Sequence, residues 1–229
     1  MKKWLNYKYQ IFMRTLVISD THLGLSIDEY KYRFLETVIR QSDRVIINGD
    51  FWEGFLYGFN QFLDSPWKRL FPLLKKRHTI YIYGNHDRPE LMDERTKLFS
   101  DLQTHRHKER LNGKSLVFEH GHNYVSFSQK VDGIRLPKLV NYLNLIEKVL
   151  VRKINFKYAK MFLSRYNREI KIKTKPFLIE NEIFVCGHTH CSETDFRNNF
   201  INTGFIKHGL AQYLIIEDHT LTSHEEWYS

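Results

Sequence analysis

Five short stretches of the chain share one grammar: an apolar run of strand-forming residues, then a glycine or small polar residue, then Asp, Asn or His. They are Leu16-Val17-Ile18-Ser19-Asp20-Thr21-His22, Val45-Ile46-Ile47-Asn48-Gly49-Asp50 and Ile80-Tyr81-Ile82-Tyr83-Gly84-Asn85-His86-Asp87, followed by Leu116-Val117-Phe118-Glu119-His120-Gly121-His122 and Ile183-Phe184-Val185-Cys186-Gly187-His188-Thr189-His190. Carboxylate, amide oxygen and imidazole are the ligands that hard and borderline divalent cations prefer. A buried strand that ends in such a residue presents it from a rigid scaffold. Two divalent cations about 3.5–4 Å apart repel each other, so a pair of them needs a carboxylate between them. Asp50, which follows an apolar β-branched run and a glycine, is the natural bridge.

Strands must deliver these residues, and helices must cover the strands. The sequence predicts strands at 14–19, 44–48, 79–83, 115–119 and 182–186, with shorter ones at 194–196, 200–202, 213–217 and 220–226. Helices are expected at 28–41, with Ser26 or Asp28 as cap, at 67–76, where Lys75, Lys76 and Arg77 suit a helix C-terminus, and at 88–101 after Pro89. Strands alternating with helices early and strands alone late indicate an α/β sandwich.

Composition sets the limits. With 229 residues, 42% hydrophobic and 27% charged, the chain is long enough and apolar enough for one large globular domain, read as 1–229 with an insertion. Charges interrupt every apolar run well before the roughly 18–20 residues of a membrane span. Met1-Lys2-Lys3-Trp4-Leu5 opens like a signal peptide, but polar residues break the apolar region that should follow. Residues 1–12 read as an N-terminal extension before Met13. The two cysteines, Cys186 and Cys191, fit reduced thiols of a cytoplasmic protein. Segment 130–175 stands apart: it holds 13 Lys or Arg against three Asp or Glu, a net charge of +10 in a chain whose total is +9. Its apolar residues recur at helical spacing, so it reads as a cap of two amphipathic helices. The basic face is either simply solvated or a surface for an anionic substrate, nucleic acid or the inner face of a membrane.

The ordered set Asp20-x-His22, Gly49-Asp50, Gly84-Asn85-His86-Asp87, His120-Gly121 and Gly187-His188-x-His190 resembles the calcineurin-like metallophosphoesterase superfamily at each of its signature blocks. The resemblance implies a four-layer α-β-β-α sandwich and two divalent metal ions, manganese first, with iron or zinc as alternatives. It implies that Asp20, His22, Asp50 and His190 hold one metal while Asp50, Asn85, His120 and His188 hold the other. A metal-bridging hydroxide would then attack phosphorus in line. His86 resembles the family's catalytic non-ligand histidine, with Asp87 orienting its ring; Asp87 also reads as a simple turn residue. His122 and His208 are placed at the rim, and His78, His105, His107, His219 and His224 on the surface.

The aromatic loop Phe51-Trp52-Glu53-Gly54-Phe55, the basic helical insert and the late Asn202-Thr203-Gly204 are similar to the UDP-2,3-diacylglucosamine pyrophosphatase branch. In one place the chain departs from that branch, which carries Arg where His86 stands. The resemblance implies hydrolysis of a phosphodiester or pyrophosphate bond, with a lipid-linked nucleotide as one substrate and peripheral membrane contact through the cap. A nuclease or nucleotide phosphodiesterase that tracks a phosphate backbone with the cap is the alternative. A non-catalytic scaffold is the third reading.

Overall fold

The computed structural model describes residues 13–126 and 137–229. The 1–12 extension and the start of the basic insert therefore lie outside the described residues. In chain order the strands are β1 (Thr15–Ile18), β2 (Arg44–Asn48), β3 (Ile80–Ile82), β4 (Leu102–Thr104), β5 (His107–Leu111), β6 (Lys114–Phe118), β7 (Glu182–Cys186), β8 (Glu193–Asp195), β9 (Phe200–Asn202), β10 (Ile206–Lys207), β11 (Leu210–Glu217) and β12 (Thr220–Trp227). The α-helices are α1 (Glu29–Arg40), α2 (Phe59–Asp64), α3 (Phe71–Lys76), α4 (Pro137–Val149) and α5 (Phe156–Thr174).

Side-chain alternation along the strands decides the layering. One sheet runs β10-β11-β1-β2-β3-β4 with β12 also on β11; the other runs β5-β6-β7-β9-β8. Leu16, Ile18, Val45, Ile47 and Tyr81 point to one side of the first sheet and pack with Leu35 and Ile39 of α1 and Phe71 and Leu74 of α3. Val17, Ile46, Ile80 and Ile82 point to the other side and meet Leu116, Phe118, Ile183 and Val185 of the second sheet. The outer face of that second sheet, Val117, Phe184 and Phe200, packs on Ile170 of α5. The layers are helix, sheet, sheet, helix, the mixed α/β sandwich expected from the sequence.

β1, β2, β3 and β4 pair in parallel, as do β6 and β7. Parallel pairing puts all their C-terminal ends at one edge, where the five sequence blocks converge. Helix α1 begins where Asp28 accepts a hydrogen bond from the Lys31 amide at 3.1 Å, a side-chain cap of the expected type.

Three expectations change. Residues 88–101 do not form one helix; two 3-10 turns, Pro89–Leu91 and Glu94–Leu98, occupy the segment. Asp93 breaks the run by accepting from the Arg95 amide and capping the second turn. The expected helix at 67–76 divides into a 3-10 turn, Pro66–Leu70, and α3, because Pro72 restarts the chain. The insert is a cap only in part. Its two helices exist, joined by a π-helical turn at Leu150–Asn155, but the C-terminal half of α5 buries Asn167, Ile170 and Thr174 and serves as the outer layer of the sandwich.

Candidate metal centre

Strand ends supply every residue of the centre: β1 leads to Asp20 and His22, β2 to Asp50, β3 to Asn85 and His86, β6 to His120, and β7 to His188 and His190. Five of these leave their strands with left-handed backbone, Asp20 (φ 52), His22 (φ 43), Asp50 (φ 54), His188 (φ 68) and His190 (φ 54). Non-glycine residues seldom adopt that region, and when they cluster there the surrounding structure must enforce it. Backbone bonds from Asp20 N to Gly49 O (3.1 Å) and from His22 N to Asp50 O (2.9 Å) lock the end of β1 to the end of β2. Glycine precedes the later blocks for a steric reason. A Cβ on Gly84 would lie 2.1 Å from Asp50 Oδ1, and one on Gly187 would lie 2.3 Å from Asp20 Oδ2.

The imidazoles turn one nitrogen outward to a partner and the other inward. His120 Nδ1 donates to the Asn48 carbonyl at 2.9 Å, leaving Nε2 3.2 Å from both Asp50 Oδ2 and Asn85 Oδ1. His22 Nδ1 meets Glu53 at 3.1 Å, leaving Nε2 3.7 Å from Asp50 Oδ2 and 3.2 Å from His190 Nε2. His190 Nδ1 bonds Glu147 on α4, and its Nε2 lies 3.3 Å from Asp20 Oδ1. Asp20, His22 and His190 converge as one donor group; Asp50, His120 and His188 converge as another. A third grouping joins His22, Asp50 and His86. Asp50 Oδ2 faces histidines of both main groups.

A sequence profile of the calcineurin-like phosphoesterases matches residues 13–192, which contain all five blocks. The chain belongs to the calcineurin-like phosphoesterase family. No curated protein matches its sequence. Among solved structures it is similar to YfcE, a phosphoesterase from E. coli, at 17% identity and a TM-score of 0.50, over 95% of this chain and 100% of that one. It is also similar to an archaeal phosphodiesterase (16% identity, TM-score 0.48, 94% and 99% covered) and to a Vps29 from Entamoeba histolytica complexed with zinc (14%, 0.47, 95% and 100%). At these identities the first likeness concerns the fold alone.

Calcineurin-like phosphoesterases bind divalent metals, and this member's donor set fits that use. Asp20 and Asp50 are buried carboxylates, and Asp20 Oδ1, inaccessible to solvent, makes no well-aligned hydrogen bond, with His190 Nε2 3.3 Å away. Such an oxygen needs a cation or a donor beside it. Burial opposes charge throughout the centre, yet the carboxylates prevail where they are close. His120 is pushed up to about 10 by Asp50 and Asp20 against its burial, and His190 to about 9 by Glu147 and Asp20. Burial would raise Asp20, but His120 and His190 bring it down to about 2. His22 falls to about 4 through burial, Lys207 and His86, and His188 falls well below the ordinary range through burial and His120. Protons on His120 and His190 thus stand where a cation would do the same electrostatic work.

One sequence assignment is corrected. Asp87 does not orient the ring of His86. Its Oδ1 accepts from the Asp50 amide (3.0 Å) and the Gly84 amide (2.7 Å), and its Oδ2 from the Phe51 amide and the Tyr81 hydroxyl (both 2.6 Å). With four donors on two oxygens, Asp87 is spent on pinning the β2 and β3 loops together. Glu53 takes the orienting place: its Oε1 accepts from His86 Nδ1 at 2.6 Å while Oε2 meets His22. Glu53 was readable only as part of an aromatic loop, and Glu147 only as a rare acid in a basic insert, because each acts across 31 or more residues. His122 sits 5.5 Å from the His120 ring, beside the donor groups and outside them. His208 bonds Glu147 Oε2 at 3.0 Å. His78, His107 and His224 have partners outside the centre, in Asp101, Glu109 and Tyr213.

Proposed function

We propose that the chain hydrolyses a phosphodiester or pyrophosphate bond with two divalent metal ions, manganese or, by availability, iron or zinc. Asp20, His22, Asp50 and His190 would hold one ion, and Asp50, Asn85, His120 and His188 the other. The observation that carries this reading is Asp50 Oδ2, which lies 3.7 Å from His22 Nε2 and 3.2 Å from His120 Nε2 and so faces both donor groups at once. When bound, such ions neutralise charge on the phosphoryl oxygens and make water a competent nucleophile near neutral pH.

The remaining tasks fall to side chains. Burial opposes charge on His86, but Asp50 and Glu53 push its pKa upward and so favour the protonated ring. Glu53 holds that ring by Nδ1, leaving Nε2 to donate to a phosphoryl oxygen or to the leaving group. Beside it the Phe55 ring lies 4.1 Å from the His86 ring, with the Arg88 guanidinium 5.9 Å over Phe55. An apolar and cationic wall at that point suits a substrate with a bulky leaving group, of which a UDP-2,3-diacylglucosamine-like lipid-nucleotide is the example the sequence favours.

Turnover of bis(p-nitrophenyl) phosphate with manganese tests the reaction class; no turnover with any of the three metals would sink it. Substrate class is tested next by lipid-linked nucleotide against single-stranded oligonucleotide. Salt-sensitive cleavage of the oligonucleotide alone would favour a nuclease.

A further inference from the structure

Strand β12 leaves an open sheet edge. Edge strands carry unpaired N–H and C=O groups that another strand can pair with, and proteins normally shorten, charge, bulge or cover them. The other edges of this fold follow that rule: β4 and β8 have three residues each, and the five of β5 include Lys108, Glu109 and Arg110. β12 has eight residues, contains neither Lys nor Pro, and keeps one register against β11 over all eight pairs, so no bulge interrupts it. Among the described residues no strand pairs with its outer side. Its two carboxylates do not guard that side. Glu225 accepts from Gln212 Nε2 at 2.7 Å and from Lys160 Nζ at 2.6 Å, and Glu226 accepts from the Tyr213 hydroxyl, so both are tied back to their own chain.

Backbone phase narrows what fits the edge. Opposed residues of an antiparallel pair alternate between exchanging hydrogen bonds and exchanging none. Tyr228 N donates to Gly209 O at 2.8 Å, in line with the β11–β12 register, while Gln212 N turns the other way to Phe205 O at 2.8 Å. Thr220, Thr222, His224 and Glu226 therefore bond β11, and Leu221, Ser223, Glu225 and Trp227 turn their backbone groups outward. A second copy of β12 matches that pattern in one register. A two-fold axis at His224 sets Leu221 opposite Trp227 of the second copy and Ser223 opposite Glu225 of the second copy. All four outward-turned residues then find outward-turned partners, and Trp227, 56% exposed, gains an apolar neighbour. An axis at Ser223 would instead oppose Leu221 to Glu225 and leave Trp227 beyond the paired strand. An axis at Glu225 would oppose that carboxylate to itself. The strand is thus complementary to itself, which is what a two-fold interface requires.

We infer that the chain forms a two-fold dimer in which β12 pairs antiparallel with β12 of a second copy about His224. The inference does not depend on the proposed reaction. Sedimentation velocity of the full chain over a range of concentrations shows a dimer, and hydrogen exchange shows the Leu221, Ser223, Glu225 and Trp227 amides protected. Ser223→Pro removes an outward N–H without breaking a bond to β11 and gives a monomer that is folded by circular dichroism. Trp227→Lys, which removes the apolar pair and charges the edge, does the same. Crosslinking reads the register. Under mild oxidation His224→Cys forms a disulfide across the axis, where opposed Cα atoms lie about 4.5–5.5 Å apart. Thr222→Cys forms none, because four residues of strand, about 13 Å, separate the two copies of that position. Cys186 and Cys191 are buried and do not compete. A wild type that stays monomeric at every concentration, a dimer that persists in either folded variant, or crosslinking through Thr222→Cys and not His224→Cys overturns the inference. So does a monomer in which the four amides are still protected, since the edge is then covered from within the chain.

Discussion

Glu147 on helix α4 bonds Nδ1 of His190, the histidine whose Nε2 lies 3.3 Å from Asp20 Oδ1. A residue of the basic insert thereby fixes the ring of a proposed metal ligand on β7's loop, 43 residues away. A carboxylate behind a ligating imidazole sets its tautomer and raises its basicity. Glu147→Ala is therefore expected to weaken metal binding about 10–100-fold, read by titration of the metal-free chain. Glu147→Gln, whose amide oxygen still accepts from Nδ1, should recover part of the loss. Equal affinity in all three proteins would mean that the contact serves only to seat the insert.

His86 and Asp87 are neighbours in sequence with opposite roles in space. His86→Ala should keep both metals and lower kcat about 10²–10⁴-fold, since the ring belongs to neither proposed ligand set. Metal loss on that substitution would place His86 among the ligands, as its grouping with His22 and Asp50 permits.

Asp87→Ala removes the acceptor of three backbone amides and of the Tyr81 hydroxyl. Buried donors left unpaired destabilise strongly, so a loss of about 2–5 kcal/mol is expected in chemical denaturation. Near-wild-type stability with a collapsed kcat would return Asp87 to the catalytic role that the sequence suggested.

The strands, and the Asp and His residues that converge at their ends, were legible in the sequence because both are local. An apolar run followed by Gly and Asp states a strand end, and β2, β7 and β9 appear with the expected bounds. Helix α2 was missed because six residues give no periodicity to detect. β5 was missed because His107-Lys108-Glu109-Arg110-Leu111 is an edge strand with a polar pattern. Glu53 and Glu147 were invisible for a different reason. Their partners are set by tertiary packing, and an isolated acid in an aromatic loop or a basic helix carries no local sign of one.

Metal uptake should depend on pH in a direction that the histidines decide. Without metal, His120 and His190 titrate at about 10 and about 9, above the 6.5 of an unperturbed histidine. Their folded values are raised, so in the metal-free chain their contribution to stability is full below about pH 6.5 and is lost as pH climbs to about 9–10. Metal requires the neutral rings. Binding at pH 7 should therefore release about two protons, and affinity should rise with pH. Calorimetry in buffers of differing ionisation enthalpy measures the release; a value of zero would contradict the assignment of both rings.

The central claim is that one carboxylate serves two cations. Asp50→Asn keeps the size and position of the side chain while removing its charge, and the decisive measurement is its metal content per chain after reconstitution and removal of excess metal. The wild type should hold two ions, and Asp50→Asn should lose both together along with turnover of bis(p-nitrophenyl) phosphate. A variant that retains two ions with near-normal activity would contradict the account.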